Sequence, residues 1–396
     1  MLPLFLLLAA AVAGPPDLPP PASGSLPADA VRPLPVEVSA YIRWARKQLP
    51  VPHPEAAYRF EADVHATLLP LVEAMPQRVT PVRLGRSVEN RPIWGFRVRE
   101  HRTPVTRKLL VFANIHALEW ITTEVAVGFL QEIAAHPPPG VEVVVVPVLN
   151  PDGRAKVEQD LLSGRNVYRR GNQRNVDLNR DFTVNREARA VWRHVIPRRY
   201  VTTAAPLSQP ESQSLERLAA QEGFDVAVSL HAYGGWLFHP WAGDWERPED
   251  RATFERLGRE IQRGQGGRAY NVKQLGRWAF FFRGHGMELD HLYGQHGTLA
   301  FLWELTRGRS PLAPATWKTD FRIYNPPDPV RAIRRDVGGL RALASSLSWE
   351  ARSLLAVPPG QEARRRVPAP RPGNRRPGAD DPRRSTPRPN EDTPSG

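Results

Sequence analysis

RKLLVFANIHALEWIT, residues 107–122, changes its hydrophobic period partway along. Arg107 to Ile115 is an aliphatic and β-branched run of the kind buried in a central sheet. From Thr122 to Ala135 the apolar residues Val125, Phe129 and Ile133 recur at fourfold spacing, the repeat of a helix face, until Pro137 to Pro139 stop it. A strand therefore hands over to a helix within a few residues, and polar side chains sit at the handover.

The alternation continues outward. Val141 to Leu149 (VEVVVVPVL), Asp225 to Leu230 (DVAVSL) and Thr298 to Leu305 (TLAFLWEL) read as further buried strands. Pro210 to Glu222 reads as a helix opened by proline and charged residues and carried by Leu215 and Leu218. Strands and helices in this order predict an α/β fold, a three-layer α/β/α sandwich with a central mixed, mainly parallel sheet. Ligands in such sheets sit at the carboxyl ends of the strands. Those ends carry Asn114 to His116, Asn150 to Asp152, His231 and Glu304, so four of them offer polar groups to one crevice.

Composition narrows the chemistry. The 396 residues include no cysteine, which excludes thiolate metal sites, iron–sulfur clusters, disulfides and cysteine nucleophiles. Any metal must be held by His, Asp or Glu. The net charge of +13 speaks to solubility and nonspecific attraction, and no specific nucleic-acid partner is expected from it.

The ends read differently from the middle. Leu2 to Val12 is an apolar run too short to span a bilayer, and Ala11 to Ala13 is a small-x-small cleavage pattern, so residues 1–13 are expected to be a signal peptide and the protein exported to the periplasm or the medium. Residues 14–34 are expected to form a Pro-rich linker, and 35–355 the folded domain. Residues 356–396, rich in Pro and Arg, are expected to be a disordered basic tail with nonspecific attraction to anionic surfaces. No other stretch is long and apolar enough to be a transmembrane segment, and a monomer is expected.

His116 and Glu119 are separated by two residues where the strand meets the helix, so a tight turn can point an imidazole and a carboxylate at one centre. His231, at the end of another strand, would supply a third ligand. Two histidines and one carboxylate leave a fourth position for water, the open form of a zinc site.

The strings around these residues carry a resemblance. NIHALEWIT (Asn114 to Thr122), LNPDG (Leu149 to Gly153), NVDLNRDF (Asn175 to Phe182), PLSQPES (Pro206 to Ser212), SLHAY (Ser229 to Tyr233) and FLWEL (Phe301 to Leu305) stand in the order and approximate spacing of the zinc carboxypeptidases. LGRSVENRPIWGFRV (Leu84 to Val98) is similar to that family's opening segment. The chain thus resembles the carboxypeptidase A/B-like family over about Val36 to Leu347.

The resemblance implies a carboxypeptidase-like fold and one zinc ion on His116, Glu119 and His231, lowering the pKa of a bound water and polarising the scissile carbonyl. It implies Glu304 as general base and Arg169 as the group that steadies the developing oxyanion. Asn179 and Arg180 match the pair that holds a free C-terminal carboxylate, so the implied partners are peptide or protein C-termini. Tyr233 resembles a tyrosine lining the next subsite, with a cis bond expected between Ala232 and Tyr233.

Several positions depart from the digestive-enzyme pattern. Leu118 stands where those enzymes carry arginine between the zinc ligands. Phe282 falls where a mobile tyrosine closes over the terminal residue, with Tyr293 or Tyr270 as alternatives for that role. Leu289 falls near the position that sets the primary pocket and favours an apolar terminal residue, although Glu288 and Asp290 flank it. Two other readings stand beside an exported carboxypeptidase: a peptidoglycan-peptide amidase of the same superfamily, and a catalytically silent zinc-binding adhesion or scaffold module.

Overall fold

The computed structural model describes residues 36–100, 103–187, 194–195, 201–307 and 320–349. The expected signal peptide, linker and basic tail lie outside the described residues. Along the chain run α1 (Val36–Ala45), α2 (Glu61–Ala74), β1 (Val79–Arg86), β2 (Pro92–Val98), β3 (Arg107–Phe112), α3 (Trp120–Ala135), β4 (Val141–Val146) and α4 (Pro151–Leu162). There follow α5 (Pro210–Glu222), β5 (Val226–Ala232), β6 (Trp236–His239), α6 (Arg251–Gln265), β7 (Asn271–Gln274), α7 (Glu288–His296), β8 (Leu299–Leu305), α8 (Phe321–Tyr324) and α9 (Val330–Trp349).

The strands form one sheet in the order β1-β2-β4-β3-β5-β8-β6-β7. Its middle, β4-β3-β5-β8, is parallel, and β1, β2 and β6 pair antiparallel toward the edges. The central strands are apolar on both faces because both faces are covered: all residues of β4 (VEVVVV) are buried, and all of β5 as well. Leu109, Val111, Val143 and Val145 enter one hydrophobic layer with Trp120, Val125, Phe254 and Leu343. Their neighbours Leu110, Phe112, Val144 and Val146 enter the opposite layer with Leu215, Leu218 and Leu292. That twofold alternation makes a three-layer sandwich, and removing one buried aromatic such as Phe301 costs about 3–5 kcal/mol.

Helix ends follow local chemistry. Asn150 caps α4 by accepting from the Gly153 N–H at 2.9 Å, with Pro151 in the first turn. Gly223 and Gly297, at φ 62° and 67°, close α5 and α7 in the left-handed conformation. In α6, Phe254, Leu257, Gly258 and Ile261 face the core while arginines and glutamates face outward. No helix among the described residues is long and apolar enough to cross a membrane.

The sheet order places the site. From β3 the chain crosses to β4 on one side, and β5 joins on the other, so a crevice opens beyond the carboxyl ends of β3 and β5. The turn after β3, His231 on β5 and Glu304 on β8 all lie at that edge.

Candidate active site

Asn114 leaves β3 at φ 55°, a left-handed conformation asparagine tolerates better than most residues, and its Nδ2 donates to the His116 carbonyl at 2.9 Å. The Asn114 N–H donates to Thr122 Oγ1 at 3.1 Å, tying strand to helix. Beneath them the buried Arg154 guanidinium lies 4.1 Å over the Trp120 ring and donates to Thr123 Oγ1 at 3.1 Å. The turn is thereby fixed, and it aims His116 and Glu119 inward.

Three ligand atoms converge there. His116 Nδ1 lies 2.8 Å from Glu119 Oε1, His231 Nδ1 lies 3.4 Å from Glu119 Oε2, and the two Nδ1 atoms are 3.1 Å apart. The Ala232 N–H also donates to Glu119 Oε2 at 3.0 Å. The opposite ring nitrogens are each held by a carboxylate: His116 Nε2 meets Asp177 Oδ1 at 3.2 Å and His231 Nε2 meets Glu288 Oε1 at 2.9 Å. Nε2–H groups donating to carboxylates leave both Nδ1 lone pairs facing one point, the arrangement that suits metal ligation. The donor set, two imidazoles and one carboxylate with carboxylates behind, fits zinc.

The crowding of these groups shifts their protonation equilibria. Burial works against the charge on Glu119, but the flanking His116 and His231 outweigh it and hold the carboxyl below its ordinary range. Burial likewise disfavours the His231 cation, yet the hydrogen bonds it donates to Glu119 and Glu288 lift it to about 10. Asp177 is pulled well below the usual carboxylate value, Arg170 and His116 overcoming its burial.

Glu304 is half-buried on β8, in register with His231 on β5, and its Oε2 is a buried oxygen without a hydrogen-bond partner. Burial, reinforced by Glu119 and Glu288 and opposed by His231 and Arg170, pushes its pKa up to about 8. A carboxylate so placed is a better proton acceptor than an exposed one.

One arginine assignment needs correcting. Arg169 is committed to Asp160, donating from Nε to Oδ2 at 2.7 Å and from Nη2 to Oδ1 at 3.2 Å. The next residue, Arg170, reaches the cluster instead: its Nη1 lies 3.8 Å from Glu119 Oε1 and its Nε donates to Asp177 Oδ2 at 2.7 Å. Adjacent residues in an extended loop point to opposite sides, and the carboxylates that sort them, Asp160 and Asp177, lie elsewhere in the chain.

Asn179 and Arg180 lie on a single 3-10 turn, Leu178–Arg180, opened by Asp177, which accepts from the Asn179 N–H at 3.0 Å. Asn179 Oδ1 accepts from the Glu288 N–H at 3.2 Å. The half-buried Arg180 donates to the Asn179 carbonyl at 2.6 Å and pairs with no carboxylate among the described residues. The Ala232–Tyr233 bond is cis, and the Tyr233 ring stands 5.2 Å from that of Tyr324, which lies 6.2 Å from Tyr168.

The specificity expectations fare differently. Leu289 is fully buried in the hydrophobic layer beneath α7, so it does not line a pocket. It is Glu288, one residue earlier at the helix start, that faces His231, Ser229 and Asn179. Phe282 packs edge-on against Trp278 at 5.5 Å and borders the second hydrophobic layer. Tyr270 is buried, accepting from the Thr306 N–H at 2.7 Å, and Tyr293 donates to Asp250 at 3.0 Å, so neither closes over the site. Leu118 is buried, with its carbonyl accepting from Asn325 Nδ2 at 2.8 Å, a position with no exposed space for a guanidinium. Asp177, Arg170 and Glu288 went unassigned in the sequence, although the NVDLNRDF string contains the first.

Comparison with known proteins follows the same line. The sequence model described as zinc carboxypeptidase matches residues 64–327. The uncharacterized protein YqgT of Bacillus subtilis is 27% identical over 264 residues, covering 58% of this chain and 65% of that protein. Carboxypeptidase D of Rattus norvegicus is 24% identical over 217 residues, 51% of this chain and 14% of the relative. The chain thus spans less than two thirds of the length of either. Among solved structures, thrombin activatable fibrinolysis inhibitor superposes with a TM-score of 0.61 at 17% identity, over 79% of this chain and 81% of that one, a likeness of fold.

Proposed function

The chain belongs to the zinc carboxypeptidase family, and from that premise we propose that it is an exported metallocarboxypeptidase removing residues from the C-termini of peptides or proteins. The observation that carries the reading is the meeting of the His116 and His231 Nδ1 atoms with the Glu119 carboxylate, next to a Glu304 in register with His231. An adhesion module would have no use for a carboxylate held by strand register beside its metal ligands. Export rests on the apolar run Leu2 to Val12.

His116, Glu119 and His231 would hold the ion, which supplies Lewis-acid polarisation of the scissile carbonyl and a more acidic water. Glu304 takes the proton of the attacking water and passes it to the leaving amine. Arg170, anchored on Asp177, faces the oxygen on which negative charge develops. Asp177 and Glu288 hold the two imidazoles in one tautomer. Arg180, free of any carboxylate partner among the described residues, takes the substrate's terminal carboxylate with Asn179 beside it. Tyr233, Tyr324 and Tyr168 form an aromatic wall for the upstream residues.

The test is a mixture of linear peptides, incubated with and without a chelator and followed by mass. Stepwise loss from the C-terminal end that stops with chelator supports the proposal. Internal cleavage, or none at all with zinc present, overturns it. Action on peptidoglycan tripeptides alone would assign the amidase reading instead.

A further inference from the structure

A second group of metal-type ligands lies outside the site described above, on other elements. Glu216 on α5 and His291 and His296 on α7 bring their ligand atoms within 4.8 Å of one another. His291 Nε2 lies 2.5 Å and His296 Nε2 2.7 Å from the same Glu216 oxygen, Oε2. The two rings are nearly perpendicular, at 83° with centroids 5.2 Å apart, so each presents an edge to the carboxylate. Glu216 forms no ion pair with lysine or arginine among the described residues, leaving one carboxylate and two imidazoles facing each other.

We propose that Glu216, His291 and His296 form a second divalent-metal site, of the zinc type, that clamps α5 to α7.

The chemistry of the donors suits it. Two imidazoles and a carboxylate match zinc, with cobalt and nickel as its usual surrogates. His291, 1% exposed, has its far nitrogen Nδ1 at 2.7 Å from Thr183 Oγ1, a partner that fixes the ring and leaves Nε2 to ligate. The side chains of His296 and Glu216 are 13% and 24% exposed, enough for an ion to enter and for water to complete its shell. Bonds of about 2.0–2.1 Å in tetrahedral geometry separate ligand atoms by about 3.3 Å, so the present contacts need open by less than about 1 Å.

The position gives the clamp a purpose. α7 begins with Glu288, which holds His231, and its His291 packs 5.2 Å from Phe182, two residues beyond Arg180. An ion tying α7 to α5 would steady the frame behind both the metal-ligand tautomer and the carboxylate-binding turn.

The experiment measures zinc per chain in the full-length protein after loading and removal of excess ion, for wild type, His116→Gln, His296→Gln and Glu216→Gln, each checked for fold by circular dichroism. The proposal expects about two ions in the wild type and loss of about one in each variant. It also expects zinc to raise the thermal midpoint of His116→Gln and not of the His116→Gln/His296→Gln double variant. If His296→Gln and Glu216→Gln keep the wild-type zinc content, the cluster is an ion pair and the proposal fails. Should the substitutions unfold the chain, zinc titration of the wild type decides: a second equivalent that shifts the His291 and His296 ring resonances supports the site, and unmoved resonances overturn it. Failure of the first site alone looks different, since His116→Gln would then retain all the zinc that His296→Gln loses.

Discussion

His231 and Glu304 are register partners on the adjacent parallel strands β5 and β8. Parallel strands about 4.8 Å apart place paired residues on the same face, so the sheet itself sets the carboxylate beside the metal-ligand cluster without help from a loop. Gly234 keeps the space open, since a Cβ there would lie 3.0 Å from Glu304 Cβ. Strand register is a rigid way to hold a base, and it makes the role of Glu304 separable from that of the ligands.

Glu304→Gln keeps the shape and removes the proton acceptor. Zinc content should match the wild type while kcat falls by roughly 10²–10⁴, the usual contribution of a positioned acid–base group. Metal analysis alongside steady-state kinetics checks it, and unchanged turnover would remove Glu304 from the mechanism.

The two neighbouring arginines make a paired test. Arg170→Ala should lower kcat/KM by roughly 10²–10³, the cost of losing one oxyanion donor. Arg169→Ala breaks the contact with Asp160, which is otherwise paired with Arg165 at 2.8 Å, and should leave kcat within about threefold. Kinetics of both variants on one peptide decide between them.

Arg180→Ala should raise KM for peptides with a free C-terminus by roughly 10- to 100-fold, since a hydrogen bond to a charged group contributes about 1.5–3 kcal/mol. C-terminally amidated peptides, which lack that carboxylate, should be cut no more slowly by the variant than by the wild type. Equal losses on both substrates would show that Arg180 supports structure and does not read the carboxylate.

Most of the frame was readable because it repeats. The central strands carry near-continuous apolar runs, α5 spans Pro210–Glu222 as its proline and leucines indicate, His231 and Glu304 lie near the ends of β5 and β8, and His116 and Glu119 lie in the turn joining β3 to α3. What was not readable depends on choices with no period. Whether Arg169 or Arg170 turns inward is decided by Asp160 and Asp177. Whether Glu288 or Leu289 faces the site is decided by where α7 begins, and one residue there moves a side chain from crevice to core. The last two strands of the sheet order, β6 and β7, each four residues long, carry too short a pattern to register.

Without metal, stability should fall as pH rises. Glu304, raised in the fold to about 8, binds its proton more tightly than the unfolded chain does, so the fold loses relative stability from about pH 4.5 up to about 8. His231, raised to about 10, contributes stability that is complete below about pH 6.5 and lost as pH rises toward 10. Both signs agree. The thermal midpoint of metal-free protein should drop between pH 5 and 9, and Glu304→Gln should shrink that drop. Zinc should restore more at pH 9 than at pH 5, because His231 must shed its proton to bind the ion. A metal-free midpoint that climbs with pH would contradict these shifts.

Crystals of the zinc-loaded protein, measured at the zinc absorption edge, test the metal centre directly. The account predicts an anomalous peak about 2.0–2.1 Å from the Nδ1 atoms of His116 and His231 and from a Glu119 oxygen, with the Glu304 carboxylate facing it. No peak between those three side chains, or a Glu304 turned away into solvent, would contradict it.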